Sequence, residues 1–206
     1  MKKEKSNNTL LKLSEKVVFF ATHNIHKFNE ARAILSEFNI TISMLRIKTS
    51  ELQSDSLKEI AQNSAIEIYK KYGLPILVED SGLFIESLNG FPGPYAAYVY
   101  KTIGNGGLIT LMEKIINRNA VFKSSIVFCY NKNRKPELFE GEVMGTIALK
   151  QFIDQPFLGF GFDPIFQPKG NSKLFAEMSI PEKNLVSHRA IALRKFANWY
   201  SQRKQI

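Results

Sequence analysis

The chain has 206 residues, of which 44% are hydrophobic and 23% are charged, a composition typical of one globular domain. Its apolar runs are too short to span a bilayer, and no apolar core follows the basic first residues, so we expect neither a membrane segment nor a signal peptide. The net charge of +9 indicates an anionic partner, and by itself it does not choose between a nucleotide, a nucleic acid and an anionic surface.

The chain contains one cysteine, Cys129, within an apolar run. It cannot form a disulfide within the chain, so we expect a buried thiol and a reducing, cytoplasmic location. Residues 1–15 are expected to be a flexible basic tail and residues 16–206 a single domain, because no repeat or linker interrupts them.

The segments alternate between strand-like and helix-like patterns, which predicts an α/β fold. The apolar run at 16–22 predicts a strand that is buried on both faces. Apolar residues at helical spacing then predict a first helix, with Phe28, Ala31, Ile34, Leu35 and Phe38 on one face.

A capping box of Ser56 and Glu59 predicts a second helix, for which Gly73 is the expected C-terminal end. Residues 75–78 predict a buried strand that ends at the polar segment 79–82. The later predicted elements are, in order, a third helix after 104–107, strands near 120–130 and 138–148, a glycine- and aromatic-rich turn at 159–166, and a last helix beginning at Ser187.

The turn between the first strand and the first helix is a candidate phosphate site. Thr22 and Asn24 can cap the helix, and its first N–H groups attract anions. Lys27 is unfavourable in a first helical turn unless an anion lies nearby. A plain helix cap with a solvated lysine explains the segment equally well, and His23 and His26 are better explained as solvated side chains than as metal ligands.

The adjacent carboxylates Glu79 and Asp80 follow an apolar strand. Neighbouring residues of a strand face opposite ways, so one carboxylate can enter a cleft while the other points elsewhere. Carboxylates at such a position suit Mg²⁺, which keeps water and phosphate among its ligands. The alternative is an acidic turn, formed with Ser81 and Gly82.

The segment 159–166 offers aromatic side chains that can stack on a base, although a structural bend with core aromatics is the more common explanation. At the start of the last helix, Lys183, His188 and Arg189 gather positive charge where acids are preferred. This second cationic helix start favours an anionic ligand, and Arg189 is the best donor for a phosphate or a carbonyl group.

Taken in order, these segments resemble the inosine triphosphate pyrophosphatase family of non-canonical purine (XTP/dITP) nucleoside triphosphate pyrophosphatases, particularly its archaeal and eukaryotic members. The resemblance runs from about Val17 to Tyr200. Its motifs are Thr-x-Asn-x-x-Lys-x-x-Glu (22–30), Glu-x-Gln (51–53), Glu-Asp-Ser-Gly-Leu (79–83), Gly-Phe-Pro-Gly-Pro-Tyr (90–95), Gly-Phe-Gly-Phe-Asp-Pro-Ile-Phe (159–166), Phe-Ala-Glu-Met (175–178) and Glu-Lys-Asn-x-x-Ser-His-Arg (182–189).

The resemblance implies a two-lobed α/β fold, with an elongated mixed sheet, a central cleft and a homodimer. It also implies a metal, Mg²⁺ or Mn²⁺ in its place, bound by Glu51 and Asp80, with Asp80 or Glu79 activating the attacking water. The substrate would be held by residues from several segments: Thr22, His23, Asn24, Ile25, His26 and Lys27 at the phosphates, Ser81 at phosphate or ribose, Phe160, Gly161, Phe162 and Asp163 at the base, and Lys183, His188 and Arg189 at the purine edge.

The implied reaction is hydrolysis of ITP, dITP or XTP to the monophosphate and pyrophosphate. Lysine and arginine only donate hydrogen bonds, so they pair with a 6-keto group and disfavour the 6-amino group of adenine. Two alternatives remain open. One is a Maf-like pyrophosphatase acting on pyrimidine or modified nucleotides, although its family lacks the Ser-His-Arg segment. The other is a basic nucleic-acid-binding protein. The resemblance instead implies a small-molecule nucleotide as the partner, with no membrane and no specific nucleic acid.

Overall fold

The computed structural model describes residues 17–47, 52–153 and 159–203. The expected tail at 1–15 and the expected metal ligand Glu51 lie outside these residues. The helices are α1 (Ile25–Ser36), α2 (Leu57–Tyr72), α3 (Ala96–Thr102), α4 (Gly104–Leu111), α5 (Ile180–Val186) and α6 (His188–Ser201). The strands are β1 (Val17–Ala21), β2 (Thr41–Leu45), β3 (Ile76–Ile85), β4 (Pro92–Gly93), β5 (Asn119–Cys129), β6 (Glu137–Ile147) and β7 (Phe166–Pro168).

The strands of the described residues form one mixed sheet in the order β2-β1-β3-β5-β6-β7. The short strand β4 is outside this order and pairs with β3 at Leu83 and Phe84, beyond the residues of β3 that pair with β1. β1 runs parallel to both β2 and β3, whereas β3, β5, β6 and β7 are successively antiparallel. Helices cover the sheet, which confirms the predicted α/β class with an elongated mixed sheet.

Helices lie on both faces of the parallel part of the sheet. The apolar faces of α1 and α6 pack against one face, where Ile34, Leu35 and Phe196 are fully buried beside Leu77 and Phe128. On the other face, α2 packs onto the sheet through a cluster that contains Ala61, Ala65, Ile68, Val78 and Val127. Burial of both faces explains why the strands in this half read as continuous apolar runs.

A separate core fills the other end of the sheet. It includes Leu83 and Ile85 of β3, Phe122 of β5, and Phe166 and Phe175 from the chain that follows. β3 and β5 therefore run through both ends of the molecule, and the middle of β3 lies between two hydrophobic cores. This middle part carries the polar residues of the candidate site.

The predicted helix ends are confirmed. Asn24 caps α1, Ser56 caps α2 by accepting a hydrogen bond from the Glu59 N–H, and Ser187 caps α6. Gly73 ends α2 with a φ of 66°, a left-handed conformation that favours glycine. Local capping chemistry was thus sufficient to place these boundaries.

Two predicted boundaries are wrong. β3 does not end at Glu79 but continues to Ile85, and Gly82 is required there because a Cβ atom would lie 2.2 Å from the Gly93 carbonyl oxygen of β4. The glycines at 104–107 do not precede the third helix but lie inside α4. α4 ends at Leu111, so Ile116 lies beyond it and is exposed.

No helix in the described ranges is both long enough and apolar enough to cross a membrane.

Candidate active site

The candidate site lies where β3 changes partners. β1 pairs with β3 as far as Ala21 and Val78, and β4 begins to pair with it at Leu83. Among the described strands, β5 alone pairs with residues 79–82 of β3. The chain leaving β1 turns into α1 at this gap, which brings the start of α1 next to the middle of β3.

The turn into α1 is held by its own side chains. The Thr22 Oγ1 accepts a hydrogen bond from the Asn24 N–H at 3.1 Å, and the Asn24 Oδ1 accepts from the N–H groups of His26 at 2.9 Å and Lys27 at 3.2 Å. The sequence suggested that the first N–H groups of α1 bind an anion, but two of them, those of His26 and Lys27, already donate to the Asn24 side chain. His23 and Ile25 are exposed on the same turn.

Glu79 and Asp80 point to opposite faces of the sheet, as their adjacency predicted. Glu79 lies on the face of α6, where the Ser124 hydroxyl donates to its Oε1 at 2.9 Å. Asp80 lies on the face that carries Val78 and α2, opposite Ser125 of β5. Asp80 is half-buried, whereas the Glu79 side chain is inaccessible to solvent.

Glu79 is bound by two cations from distant parts of the chain. The Arg189 Nε donates to its two carboxylate oxygens at 2.9 and 2.8 Å, and the Lys27 Nζ lies 3.9 Å from Oε2. Burial alone raises the pKa of Glu79, but Arg189 and Lys27 outweigh it and lower the pKa to about 2. Glu79 is therefore a buried anion and a weak base.

A second carboxylate, Glu30 of α1, accepts hydrogen bonds from both Arg189 and Lys183. Arg189 donates to it from Nη1, and the Lys183 Nζ donates to its Oε1 at 2.8 Å. Lys183 also donates to the Asp163 Oδ2 at 2.6 Å. Arg189 and Lys183 are 2% and 3% exposed, so their charges depend on these carboxylates for stabilisation.

These ion pairs correct one inference from the sequence. Cations at the starts of α1 and α6 suggested that an anionic ligand balances them. In the structure Lys27 and Arg189 are balanced instead by Glu79 and Glu30, side chains of the protein itself. The expectation failed because Glu79 lies 110 positions from Arg189, and Glu30 lies 159 positions from it.

His188 is buried within the same region. Its ring stacks on Phe122 with the ring centroids 4.7 Å apart and an interplanar angle of 6°. Burial and the neighbouring Arg189 lower the pKa of His188 well below its usual value, although Glu79 opposes this shift. His188 is therefore a neutral ring at physiological pH. Gly141 of β6 permits this packing, because a Cβ atom there would lie 2.1 Å from the His188 carbonyl oxygen.

Phe160 lies above the cation cluster and is half-buried. The Lys183 Nζ is 4.7 Å and the Arg189 Cζ is 5.4 Å from its ring centroid. Its backbone N–H donates to the Asp163 Oδ2 at 2.7 Å, so Asp163 ties the aromatic loop to Lys183. The His26 ring also stacks on Phe160.

The structure thus brings together five of the residues that the sequence predicted for the substrate. Lys27, Phe160, Asp163, Lys183 and Arg189 lie in one connected set of contacts, next to Glu79. Ser81 lies opposite Ser124 on the same face of the sheet as Glu79.

Two residues predicted to contact the base, Phe162 and Gly161, make contacts within the protein instead of joining this set. Phe162 is 4% exposed and packs into the core, where its ring meets Tyr100 edge-on at 5.7 Å. The Gly161 carbonyl accepts a hydrogen bond from the buried Asn105 side chain at 3.1 Å. The Phe162 side chain therefore supports the loop from beneath.

Sequence reasoning assigned no role to Glu30, Ser124 or Asn105. Glu30 carries a recognisable signal, because it lies four positions before Ile34 on the buried face of α1, where a carboxylate requires a partner. Ser124 and Asn105 give no comparable signal, since buried serine and asparagine side chains are common within strands and helix ends.

The sequence of this chain is similar to those of known proteins. The sequence model of the Ham1 family matches residues 18–199. A Methanopyrus kandleri protein named dITP/XTP pyrophosphatase is 49% identical over 183 residues, which cover 89% of this chain and 95% of that protein. A Hyperthermus butylicus protein of the same name is 43% identical over 190 residues, covering 92% of this chain and 97% of that protein.

A solved structure gives the same result for the fold. The HAM1 protein from Coxiella burnetii has a TM-score of 0.77 and 26% identity to this chain, and the match covers 91% of this chain and 99% of that one.

Proposed function

The chain belongs to the Ham1 family, and from this premise we propose that it hydrolyses non-canonical purine nucleoside triphosphates to the monophosphate and pyrophosphate. The observation that carries the proposal is the convergence of Lys27, Lys183, Arg189 and Phe160 from three separate segments around Glu79. The relatives named dITP/XTP pyrophosphatase give the substrate class.

The phosphate end of the site is assigned to the start of α1. The N-terminus of a helix attracts anions, and Lys27 adds a cation whose side chain is 17% exposed and faces the middle of β3. Thr22, Asn24 and Lys27 of this turn would lie along the triphosphate, and Ser81 would contact phosphate or ribose.

The base end is assigned to Phe160, Lys183 and Arg189. Phe160 offers a ring on which a purine can stack, close to two donor-only side chains. Glu30 and Glu79 hold Nη1 and Nε of Arg189, so the guanidinium is fixed in one orientation before substrate arrives. We propose that Nη2 then donates to O6 of hypoxanthine or xanthine, which adenine lacks.

Asp80 fits a metal site of the kind that Mg²⁺ prefers. It is a half-buried carboxylate on the face of β3 opposite Glu79, whose own oxygens are bound by Arg189 and Ser124. Within the described ranges no group of three or more His, Cys, Asp or Glu side chains is arranged to hold a metal. We propose that Asp80, together with Glu51 outside these ranges, would hold Mg²⁺, or Mn²⁺ in its place, with phosphate and water as further ligands.

In the proposed reaction, water attacks the α-phosphorus, the bond from that phosphorus to the bridging oxygen breaks, and pyrophosphate leaves. Bound Mg²⁺ would neutralise charge that develops on the phosphates. Asp80 is proposed to accept the proton from water. Glu79 is the weaker candidate for this step, because its pKa is lowered to about 2 by its ion pairs.

We further propose a homodimer in a cytoplasmic setting. The resemblance to the pyrophosphatase family supports the dimer, and the single cysteine, Cys129, is consistent with a reducing compartment. Light scattering of the purified chain measures the oligomeric state directly.

A substrate panel tests the proposed function. The protein is assayed with Mg²⁺ for pyrophosphate release from ITP, XTP, dITP, ATP, dTTP and UTP. We expect the highest kcat/KM for the 6-keto purines. A preference for dTTP or UTP would instead support a Maf-like pyrophosphatase, and tight nucleic-acid binding with no pyrophosphate release would support the nucleic-acid-binding alternative.

A further inference from the structure

The ring of His26 stacks on one face of the Phe160 ring. The two ring centroids are 5.2 Å apart and the ring planes differ by 16°. His26 belongs to the first turn of α1, next to Lys27, so this contact joins the turn assigned to the phosphates with the ring assigned to the base. His26 is exposed, whereas Lys183 and Arg189, the cations beside Phe160, are buried.

The spacing of the two rings leaves no space for a nucleobase between them. A centroid separation of 5.2 Å is that of two rings in direct offset contact. A base held between two rings needs ring planes roughly 7 Å apart, twice the optimal carbon–carbon separation. A purine can therefore stack on this side of Phe160 only after the His26 ring has moved.

Among the described side chains that contact the Phe160 ring, His26 is the one that can move at little cost. Lys183 and Arg189 are fixed by buried ion pairs with Glu30, Glu79 and Asp163. The anchor of His26 is its backbone N–H, which donates to the Asn24 side chain and does not depend on the His26 side-chain rotamer. Rotamers of exposed side chains exchange within nanoseconds, much faster than enzymatic turnover.

We propose that His26 is a gate over the base site: it stacks on Phe160 in the empty enzyme and is displaced when the purine base binds. This inference rests on the proposed function, because that function assigns Phe160 to the base. The gate keeps the aromatic face of Phe160 from water and from adventitious stacking partners until a nucleotide whose phosphates reach the start of α1 arrives.

The gate has a defined effect on affinity. An aromatic pair of this kind shifts an open–closed equilibrium by roughly twofold to tenfold, and the apparent affinity falls by the fraction of molecules that are open. The closed state contains no substrate, so every nucleotide is affected by the same factor. The gate therefore changes KM for ITP and ATP equally and leaves their ratio unchanged.

Kinetics of His26→Ala, His26→Phe and Phe160→Leu test the gate. His26→Ala removes the competing ring, so KM for ITP and KM for ATP should fall by the same factor, roughly twofold to tenfold. His26→Phe is the matched control, because it keeps a stacking ring and should leave KM at or above the wild-type value. In a Phe160→Leu background, His26→Ala should have no further effect.

A measurement without substrate tests the stack itself. The chain has 3 histidines, so the His26 ring protons can be assigned by NMR with one substitution. In the nucleotide-free protein these protons should be shifted upfield by the Phe160 ring, and Phe160→Leu should abolish the shift. Unchanged His26 resonances in Phe160→Leu would overturn the gate, whatever the enzyme's activity.

The kinetic outcomes separate the gate from the function on which it rests. If the wild type releases pyrophosphate from ITP but His26→Ala has a raised KM, His26 is a contact to the base and the gate is overturned alone. If the wild type releases no pyrophosphate from any purine triphosphate, the proposed function fails and the gate fails with it.

Discussion

Arg189 donates from Nε to both carboxylate oxygens of Glu79, at 2.9 and 2.8 Å, although 110 positions separate the two residues in the chain. This pair joins the first turn of α6 to the middle of β3, where the sheet changes partners. It orients the guanidinium that is assigned to the base, and it lowers the pKa of Glu79, which makes Glu79 a weak base. Removing either partner should therefore change both stability and function.

The stability of the pair is measured with Glu79→Gln. The substitution keeps the side-chain shape but removes the charge that balances Arg189, so we expect the free energy of unfolding to fall by about 3 kcal/mol in urea. Ser124→Ala is the control, because it removes only a neutral hydroxyl donor to Glu79 and should cost about 1 kcal/mol. A loss for Glu79→Gln no larger than the loss for Ser124→Ala would contradict this account of the pair.

The buried, neutral ring of His188 predicts a pH dependence of stability. In the unfolded chain a histidine gains a proton below about pH 6.5, but burial and Arg189 lower the pKa of His188 in the fold. The unfolded state then binds more protons than the folded state, so stability is full above about pH 6.5 and decreases below it. The slope of this single-site contribution approaches about 1.4 kcal/mol per pH unit.

The measurement compares the free energy of unfolding of the wild type and His188→Phe between pH 7 and pH 5. His188→Phe keeps a flat ring on Phe122 and removes the titrating group. We expect the wild type to lose more stability than the variant as the pH falls. If the free energy of unfolding changed with pH equally in the two proteins, His188 would gain its proton in the folded state as readily as in the unfolded chain.

The role of Arg189 in substrate choice is tested with Arg189→Lys. Arg189→Ala would leave Glu30 and Glu79 without this buried cation, so its loss of stability would obscure any effect on specificity. Lysine keeps the charge but lacks the planar set of donors. We expect the ratio of kcat/KM for ITP over ATP to fall by roughly tenfold or more. A uniform loss on both nucleotides would instead make Arg189 a phosphate ligand.

The assignment of Asp80 as proton acceptor and metal ligand predicts that Asp80→Asn folds normally and loses most turnover. Loss of a general base lowers kcat by roughly 100-fold or more. Glu142→Gln is a suitable control, because it neutralises an exposed carboxylate on β6, paired with the exposed Lys123, and should keep its activity. Near-normal pyrophosphate release by Asp80→Asn would remove Asp80 from this role.

The elements that could be predicted from the sequence are those whose ends are determined locally. The caps Asn24, Ser56 and Ser187 bond within their own first turns, so a short stretch of sequence contains all the information that places them. The same holds for Gly73, which ends α2 in a left-handed conformation. The strand β1 and the start of β3 were also predictable, since burial on both faces produces continuous apolar runs.

The features that could not be predicted depend on partners far along the chain. Residues 79–82 resemble a turn because acids, serine and glycine favour turns, yet they continue β3, where Glu79 meets Arg189 and Gly82 lies against β4. The cations at the starts of α1 and α6 lie close together in the fold, but the sequence does not indicate that buried carboxylates balance them. The role of Glu51 as metal ligand stays a prediction, since it lies outside the described residues.

The central claim is that this chain converts a non-canonical purine triphosphate to its monophosphate in one step, and the products of ITP turnover test it most directly. Purified protein is incubated with ITP and Mg²⁺, and the nucleotide and phosphate products are resolved by ion-exchange chromatography. We predict IMP and pyrophosphate in equal amounts, with no accumulation of IDP. IDP with orthophosphate would contradict the account, because it requires attack at the γ-phosphorus instead of the α-phosphorus.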